Sequence, residues 1–561
     1  MSPLKINKQH ILSLVCLLIL LIPNVACMIL STDLTYSLIK EIGYLIVVLI
    51  CLFLPMTFLK RKTYFIVEGL LGVFWAPIEI ASLFLNGMTV SPHFMAIIFE
   101  TNRVEATELL SSMWPLLIVI TCTWGIYWFS VCKMDQTFLL PTILRKITWL
   151  SVPILAIVGI MVSVIIQPNK GNGCSTQERL LLAVDNVTMK FNKIYPFGIY
   201  LVTYSYYQEL SYIRELNKQL DSFQFGISAK NDTIEEHYIL IIGEAARYDH
   251  FHLNGYARAT SPNLDTTSNL YSLHHCYSQA NLTRNSVTLL LTRANLNHRE
   301  LAFQEKSILE AFAEAGYQTA WLSCQTLMDF EKRIAQTTDF QYEQAAGLSA
   351  EVQLDSILPY QAETLFTHHP SHKSFYLFHP MGSHLKYDQR YSSDFERFTP
   401  AITKGDGYAV LSVENKERII NAYDNTILYT DYIIGRSINL LKRQKGCNAL
   451  IYISDHGENL FDDERNLSVH GSYEGTIHEA HVPCFIWLSE EFKNTYPNKV
   501  SALENNLDKP IQSDVIFYSL ADMGGLLDIV NPTKSIFSSA LVEQDTIRMI
   551  TGDGQITTLL P

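Results

Sequence analysis

Long apolar runs dominate the first third of the chain. Five of them reach the length of about 20 residues that a helix needs to cross a membrane. They cover residues 11–30, 42–59, 64–86, 115–132 and 149–167. We therefore predict an N-terminal bundle of five transmembrane helices within residues 1–167.

Basic residues are distributed unequally between the two sides of this predicted bundle. The segments on one side of the bundle carry eight basic residues: Lys5, Lys8, Lys60, Arg61, Lys62, Lys133, Arg145 and Lys146. The loops on the other side carry little beyond Lys40 and Arg103. Because positively charged loops stay in the cytoplasm, the N-terminus is predicted to be cytoplasmic. An odd number of spans then places everything after residue 167 on the outer side.

A second interpretation makes the first apolar run a cleaved signal, with Val25-Ala26-Cys27 as a lipoprotein processing site. Asn24 stands where such sites usually carry an apolar residue, and four further predicted spans follow. Both observations favour the transmembrane interpretation.

Polar residues within the membrane part suggest further features. Glu68 and Glu79 lie 11 residues apart in the third span, so one continuous helix would place both carboxylates on one face. Acidic groups at membrane depth tend to face a polar interior. The two glutamates would there bind an amine-bearing lipid headgroup or form a structural hydrogen bond to a neighbouring span. Residues 90–112 have an amphipathic, interfacial pattern. A tyrosine-rich connector, 168–235, contains a helical pattern at 207–220 and is predicted to follow the membrane surface.

From about residue 236 the pattern changes to short apolar runs separated by helical patterns, notably at 307–315 and 417–441. The short runs predict buried parallel strands at 238–242, 318–322, 375–378, 449–453 and 484–488. This alternation indicates an extracytoplasmic α/β domain over residues 236–561, with a largely parallel sheet.

Composition narrows the possible partners. The net charge of −13, without any basic stripe, argues against nucleic-acid binding. The outer part has five cysteines without close pairs, so we expect buried thiols rather than a disulfide framework. These cysteines are Cys174, Cys276, Cys324, Cys447 and Cys484.

Metal-binding side chains follow the ends of two predicted strands. Glu244 comes directly after one strand and its Gly243, and Asp455-His456 comes after another. Because ligands gather at the carboxyl ends of parallel strands, we expect these side chains to meet. Carboxylates together with imidazole suit a borderline transition metal.

Hydroxyls are concentrated in a segment that begins at Asn281. Threonine is a poor nucleophile until a metal or base activates it, and Thr283, Ser286 and Thr288 are all candidates. The chemistry does not choose among them, and the segment also fits an ordinary helix N-terminus.

Two loop histidines complete the candidate set. His384 lies in a Gly-Ser-His turn after a predicted strand, and His470 precedes Gly471 on a polar loop. Both are predicted to bind a second ion or to stabilise charge on a phosphoryl oxygen. His478 and His481 are less specific, and His481 is expected to open the last strand. The whole set indicates metal-assisted group transfer.

Together these segments resemble the phosphoethanolamine transferases of bacterial envelopes, within the alkaline-phosphatase/sulfatase superfamily. The resemblance covers nearly the whole chain, since five predicted spans precede a hydrolase-like outer domain. The segments that carry it are 243–247 (Gly-Glu-Ala-Ala-Arg), 283–287 (Thr-Arg-Asn-Ser-Val), 379–384 (His-Pro-Met-Gly-Ser-His), 421–426 (Asn-Ala-Tyr-Asp-Asn-Thr), 454–458 (Ser-Asp-His-Gly-Glu) and 470–471 (His-Gly).

The resemblance implies a zinc ion held by Glu244, Thr283, Asp455 and His456, with Thr283 carrying the transferred group transiently. His384 and His470 are implied to contact that group or a second zinc. Phosphatidylethanolamine is the implied donor, and lipid A or the inner core of lipopolysaccharide is the implied acceptor. The enzyme is implied to lie in the bacterial inner membrane with its catalytic domain in the periplasm.

Two features depart from the family pattern. Members related to the mobile colistin-resistance enzymes carry several disulfides in the outer domain, which this cysteine pattern cannot reproduce. Thr288 also stands where many members have proline. Neither feature touches the implied ligands, so they bear on the acceptor and the substrate pocket rather than on the reaction class.

Three other functions share features with this pattern. A phosphoglycerol transferase of the same superfamily would share these ligands, because ligands do not encode the headgroup. A sulfatase needs a Cys or Ser in a Cys/Ser-x-Pro/Ala-x-Arg context, and none occurs near residue 283. An inactive membrane sensor or scaffold would have lost ligands, and all of them are present.

Overall fold

The computed structural model describes residues 8–30, 38–86, 89–100, 114–149, 194–220, 222–228, 233–344, 354–403, 406 and 412–559. They form two compact units. The first comprises the described residues up to Phe99 and from Trp114 to Glu209, and the second comprises Glu100 and those from Leu210 on.

The first unit is helical. Its helices are α1 (Lys8–Leu30), α2 (Leu38–Met56), α3 (Arg61–Glu68), α4 (Ala76–Asn86), α5 (Pro92–Glu100), which ends at the boundary residue Glu100, α6 (Trp114–Cys132) and the first half of α7 (Phe197–Leu220). Residues 142–149 are also helical. Within the described residues, Lys8–Ile29 is the one unbroken helix that is long and apolar enough to cross a membrane.

The predicted spans have different outcomes. The first, second and fourth fall on α1, α2 and α6, but the apolar stretches Ile46–Met56 and Leu117–Cys132 are short. The third is not one helix, because a π-helical turn, Gly69–Val73, and a bend of 41° separate α3 from α4. The fifth lies outside the described residues from residue 150 on. The five-helix bundle therefore stays a prediction.

The break in the third span removes the reason for placing Glu68 and Glu79 on one helix face. Both side chains are nevertheless buried in the first unit. The Tyr195 hydroxyl donates a hydrogen bond to the Gly72 carbonyl, and Trp124 Nε1 donates to the Val73 carbonyl at 2.9 Å. These bonds satisfy backbone acceptors where the helix is irregular.

The interfacial and connector segments are only partly described. α5 covers part of the predicted segment 90–112, and residues 101–112 lie outside the described part of the chain. In the connector, α7 begins at Phe197, ten residues before the helical pattern in the sequence.

The strands of the second unit are β1 (Glu236–Gly243), β2 (Leu270–Leu273), β3 (Cys276–Tyr277), β4 (Gln318–Ser323), β5 (Phe340–Glu343), β6 (Lys373–His379), β7 (Cys447–Ser454), β8 (Asn459–Leu460), β9 (Ser468–Val469), β10 (Cys484–Leu488), β11 (Ile511–Gln512), β12 (Ile547–Ile550) and β13 (Ile556–Leu559). The unit is built on a seven-stranded sheet in the order β2-β10-β7-β1-β6-β4-β5. Strands β7, β1, β6, β4 and β5 are parallel to one another, while β10 is antiparallel to both β7 and β2.

Helices cover both faces of this sheet. Along β1, Leu240 and Ile242 point into one apolar cluster, and Ile239 and Ile241 point into another on the opposite face. The helices of the unit, after the second half of α7, are α8 (Thr283–Leu291), α9 (Leu301–Gln304), α10 (Ile308–Glu314), α11 (Asp329–Ala335), α12 (Ile357–His368), α13 (Lys416–Leu441), α14 (Ile477–Ala480), α15 (Glu490–Thr495), α16 (Pro497–Asn506) and α17 (Val515–Met523). The α/β architecture with a largely parallel sheet is confirmed.

One strand direction was predicted wrongly. The run 484–488 forms β10, which is antiparallel to its neighbours. A continuous apolar run shows that a strand is buried on both faces, but it carries no information on direction.

Candidate metal centre and nucleophile

The ends of two adjacent strands create the site. Gly243 of β1 pairs with Ser454 of β7, so the residues that follow, Glu244 and Asp455, leave the sheet side by side at one edge. A Cβ at Gly243 would lie 2.3 Å from the Tyr452 hydroxyl, so only glycine fits here. The sheet therefore fixes where both carboxylates begin.

The loop after β6 packs against the backbone of Glu244. The Ser383 amide donates to the Glu244 carbonyl at 2.9 Å. Gly382 has a φ of 48°, and a Cβ there would lie 2.9 Å from the same carbonyl oxygen. This close approach brings His384, two residues further on, to the same edge of the sheet.

The Thr283 hydroxyl lies among the strand-end ligands. Its Oγ1 is 3.2 Å from Glu244 Oε2 and 3.3 Å from His456 Nε2. His456 Nε2 is in turn 3.2 Å from Asp455 Oδ2 and 3.6 Å from Glu244 Oε1. The four residues singled out in the sequence as metal ligands are thus brought together.

Hydrogen bonds to the backbone orient two of these ligands. His456 Nδ1 lies 2.8 Å from the Gly457 carbonyl, which can only accept, so Nδ1 carries the proton and Nε2 offers its lone pair to the site. Asp455 Oδ1 accepts from the amides of Ala245 and His456 at 3.1 and 2.7 Å. The other carboxylate oxygen of Asp455 is left facing the site.

The site contains buried polar atoms that lack partners. Glu244 Oε1 and Asp455 Oδ2 have no hydrogen-bond partner among the described residues. Burial, followed by the nearby Asp455, raises the pKa of Glu244 to about 7, and burial raises the pKa of Asp455 to about 6. Two buried carboxylates with an imidazole lone pair and a hydroxyl fit a divalent cation, which would satisfy these atoms.

His470 lies closer to this group than the sequence indicated. Among the described residues, Glu244, His456 and His470 form the set whose ligand atoms all lie within 4.8 Å of one another. His470 Nδ1 contacts Glu458 Oε2 at 2.8 Å, and Tyr387 donates to Glu458 Oε1 at 2.7 Å. Burial alone would lower the pKa of His470, but the Glu458 carboxylate raises it to about 9.

His384 stands beside His470, with their ring centroids 6.0 Å apart. Its Nδ1 is buried without a partner in the described part of the chain. Burial, and then the charge of Arg390, hold the pKa of His384 well below its usual range. The two loop histidines therefore differ in protonation although they share one wall of the site.

The structure distinguishes the three candidate hydroxyls. Ser286 donates to the Asp455 carbonyl, and Thr288 donates to the Arg284 carbonyl at 2.7 Å. Thr283 is the first residue of α8, and its hydroxyl alone among the three faces Glu244 and His456. The segment is both a helix N-terminus and a candidate nucleophile site.

Residues of α13 hold the loops around the site. Tyr423 donates to the Ala245 carbonyl at 2.7 Å and accepts from the Arg247 amide at 2.9 Å. Thr426 and Ser383 share a hydrogen bond of 2.7 Å. The sequence signal for these roles was a run of polar residues inside an apolar helical pattern, but nothing in the sequence named their partners.

Gln325 was missed entirely, although its Nε2 donates to Glu244 Oε2 at 2.9 Å. The two less specific histidines contact other groups. His478 Nδ1 accepts from Arg247 at 2.8 Å, and His481 stacks on Tyr248 with centroids 4.2 Å apart. His481 precedes β10 without belonging to it.

Comparison with known proteins agrees with this geometry. The sulfatase family model matches residues 236–526. Phosphoethanolamine transferase EptC of Escherichia coli K12 is 26% identical over 88% of this chain and 86% of its own length.

Two solved structures extend the comparison. The periplasmic domain of E. coli EptC, solved in complex with Zn, is 26% identical and covers 58% of this chain and 92% of that one, with a TM-score of 0.51. The integral membrane protein lipooligosaccharide phosphoethanolamine transferase A from Neisseria meningitidis covers 94% of this chain and 98% of that one, with a TM-score of 0.68. Its identity of 17% shows a shared fold alone.

Proposed function

The chain belongs to the sulfatase family, and from that premise we propose that it is a zinc-dependent phosphoethanolamine transferase. It transfers phosphoethanolamine from phosphatidylethanolamine to a lipopolysaccharide acceptor, lipid A or the inner core. Relatives named phosphoethanolamine transferase support this activity. The observation that carries the proposal is the Thr283 hydroxyl, which lies within 3.3 Å of both Glu244 and His456.

Glu244, Thr283, Asp455 and His456 would hold the zinc ion, and the E. coli relative crystallised with Zn supports this choice of metal. Zinc, when bound, supplies Lewis acidity that lowers the pKa of a coordinated hydroxyl. A second ion near His384 and His470 is the alternative to their contact with the transferred group, because His470 already lies within ligand distance of the first group. A metal-bound His470 would be neutral, so it would then not act as the acid of the first half-reaction.

In the first half-reaction the Thr283 hydroxyl loses its proton to solvent, and its oxygen attacks the donor phosphorus in line with the glycerol oxygen. A phosphothreonine diester forms, the bond from phosphorus to the glycerol oxygen breaks, and diacylglycerol leaves. His470, protonated through its contact with Glu458, gives a proton to the leaving oxygen. The helix α8 begins at Thr283, and the partial positive charge of its N-terminus favours the negative charge of the phosphoryl oxygens.

In the second half-reaction the acceptor hydroxyl or phosphate attacks the phosphothreonine. His384, which burial keeps neutral, accepts the proton of an attacking hydroxyl. The bond from phosphorus to the Thr283 oxygen breaks, and that oxygen takes a proton from solvent. His384 then returns its proton to solvent and His470 regains one, so the site is ready for another donor. The reaction is therefore ping-pong, with Thr283 as the only covalent carrier.

We further propose that the enzyme is a multi-pass protein of the bacterial inner membrane, with five spans and a periplasmic catalytic domain. The likeness to an integral membrane protein over 94% of the chain supports this topology. Tethering keeps the site beside its lipid donor. Reporter fusions at the predicted loops test the topology, and a cytoplasmic location for residues after 236 would refute it.

The decisive experiment compares Thr283→Ala with Thr283→Ser and Thr288→Ala in membranes that contain labelled phosphatidylethanolamine. Thr283→Ala should lose transfer by about a thousandfold or more, while Thr283→Ser retains part of it. Thr288→Ala, on the same helix, should stay close to wild type. Full transfer activity in Thr283→Ala would refute the mechanism.

A phosphoglycerol transferase remains the alternative donor chemistry, because the ligands do not encode the headgroup. Parallel incubations with labelled phosphatidylethanolamine and phosphatidylglycerol separate the two. Mass spectrometry of envelope lipids then identifies the acceptor, which should gain one phosphoethanolamine group with loss of water. A protein that transferred neither group would instead support an inactive sensor or scaffold.

A further inference from the structure

Glu479 is a fully buried carboxylate that the proposed mechanism does not use. It lies in the short helix α14, and its exposed fraction is 0%. Oε1 accepts hydrogen bonds from Asn281 Nδ2 and from the Ser472 amide, both at 2.9 Å, and Oε2 accepts from the Ser472 hydroxyl. One side chain therefore binds two separate loops.

Each of these loops leads to one of the reacting groups of the proposed mechanism. Asn281 lies two residues before Thr283, and Ser472 lies two residues after His470. Asn281 Nδ2 also donates to the Ser472 carbonyl at 2.7 Å, which joins the loops directly. Displacement of either loop therefore changes the distance between the nucleophile and the histidine.

Hydrogen bonds within α14 and to the segment after β7 fix the position of Glu479. Thr476 caps α14 by accepting from the Glu479 amide at 3.1 Å, and its hydroxyl donates to Asn459 Oδ1 at 2.7 Å. The Glu479 carbonyl accepts from the Gly457 amide at 2.8 Å, next to His456. Glu479 therefore connects both loops to the segment that follows β7: its carboxylate bonds the loops, and its backbone carbonyl bonds Gly457.

Strand β12 and the turn that follows it contact the same two loops. The Asn281 amide donates to the Ile550 carbonyl at 3.1 Å, and the Gly552 amide donates to the Ser472 carbonyl at 3.2 Å. A Cβ at Gly552 would lie 2.0 Å from the Gly471 carbonyl oxygen. Both loops are therefore held between Glu479 and a strand that lies beyond the family match at residues 236–526.

From these contacts we infer that Glu479 is a positioning residue that holds Thr283 and His470 at the separation needed for phosphoryl transfer. Every group facing its carboxylate can donate a hydrogen bond, which explains why an acid rather than an amide occupies the position. The inference rests on the proposed function only for its catalytic readout, since its effect on metal binding is independent of the group transferred.

The test uses the full-length protein in detergent with Glu479→Ala, Glu479→Gln and the control Glu474→Gln. Glu474 lies in the same loop, but its side chain is 60% exposed. Glu479→Ala should lower kcat/KM for a fluorescent phosphatidylethanolamine by about 10–100-fold and weaken zinc affinity by a similar factor. Zinc affinity is measured on the apoprotein against a competing chelator.

Glu479→Gln should have a smaller effect on both quantities. Its remaining oxygen still accepts from Asn281 and the Ser472 amide, and the Ser472 hydroxyl can turn to accept from the new amide group. Glu474→Gln should match wild type. This graded rescue by the conservative variant would not arise if Glu479 served only to keep the domain folded.

Thermal unfolding by circular dichroism corrects both readouts for the folded fraction. If Glu479→Ala keeps wild-type kcat/KM and zinc affinity per folded molecule, the inference is overturned. Asn281→Ala offers a second variant, and its effect should be less than additive with that of Glu479→Ala because both break the same junction. Full additivity would also count against the inference.

Failure of wild type to transfer phosphoethanolamine would refute the proposed function while leaving the zinc measurement decisive for Glu479.

Discussion

The two edges of the central sheet bury similar side chains in opposite ways. At the amino edge, Glu236 is fully buried and contacts Lys373 Nζ at 3.0 Å and the Tyr496 hydroxyl at 3.2 Å. At the carboxyl edge, Glu244 and Asp455 are equally buried, but each keeps one oxygen without a hydrogen-bond partner among the described residues. Strand β1 connects the two edges directly.

This difference shows that a buried charge does not by itself mark a functional site. A buried carboxylate that is paired with a cation and hydrogen-bond donors has its charge compensated within the protein. Two neighbouring buried carboxylates with unpaired oxygens need a bound cation to compensate their charge. Two incompletely paired carboxylates that meet beside one imidazole and one hydroxyl are therefore what separates the candidate site from the amino edge. Variants at the carboxyl edge should therefore lose zinc and transfer activity, whereas variants at the amino edge should lose stability.

The largest effect is expected at the carboxyl edge. Asp455→Asn removes an anionic ligand and should reduce transfer by about a thousandfold or more, which corresponds to about 4 kcal/mol of lost transition-state stabilisation. Bound zinc, measured by elemental analysis, should fall with it, while the apoprotein keeps its melting temperature. Asp528→Asn, at an exposed position, is the control. Normal zinc content in Asp455→Asn would contradict the assignment.

The amino edge should respond in stability instead. Glu236→Ala leaves Lys373 buried without its carboxylate and should cost about 3–5 kcal/mol in the free energy of unfolding. Glu490→Ala, at a side chain that is 68% exposed, should cost less than about 1 kcal/mol. Denaturant unfolding measures both. A Glu236→Ala protein that unfolds normally but loses zinc would erase the distinction between the edges.

A pH dependence should also originate at the amino edge. His237 contacts Ser374 Oγ at 2.9 Å, and burial lowers its pKa to about 4, below the value of about 6.5 expected in the unfolded chain. The unfolded state therefore binds the proton first, and the stabilisation present above pH 6.5 is lost as the pH falls through 4. The loss amounts to about 3 kcal/mol.

His237→Gln removes this titration and isolates it from acid effects at the metal site. The difference in unfolding free energy between wild type and variant should change between about pH 6.5 and pH 4 and be constant above that range. A difference that stays constant down to pH 4 would mean that His237 titrates normally.

The smallest effect is expected behind His470. Tyr387→Phe deletes the hydrogen bond to Glu458, worth about 1 kcal/mol, and should slow transfer about fivefold without a change in zinc content. Tyr376→Phe deletes a comparable bond, at 2.6 Å, to Gln318 at the start of β4 and should leave the rate unchanged. Equal rates for the two variants would remove Tyr387 from the site.

Much of this arrangement followed from the sequence because apolar runs identify buried strands. Strands β1, β4, β6 and β7 lie where the runs predicted, and the turns after β1 and β7 carry the expected Glu244 and Asp455. Edge strands β2 and β5 were missed because their half-buried residues do not form such runs. The direction of β10 was wrong because hydrophobicity does not encode it.

The first unit shows the same limit. Hydropathy indicated a third span but not the π-helical turn that interrupts it. Tyr195 and Trp124 donate hydrogen bonds to backbone carbonyls of that turn, and a hydropathy pattern does not contain such long-range contacts. Likewise, the sequence offered three hydroxyls, and only packing excluded Ser286 and Thr288 by giving each a backbone acceptor.

The available chemistry is already set by residue types and strand ends, which are local properties of the chain: two carboxylates, imidazoles and hydroxyls that follow buried strands. Tertiary structure alone decided which of these groups meet. It placed Thr283 against Glu244 and His456, drew His470 into the same group, and tied both loops to Glu479. The reason is physical, since distances between loops far apart in the chain are set by sheet register and packing rather than by any local pattern.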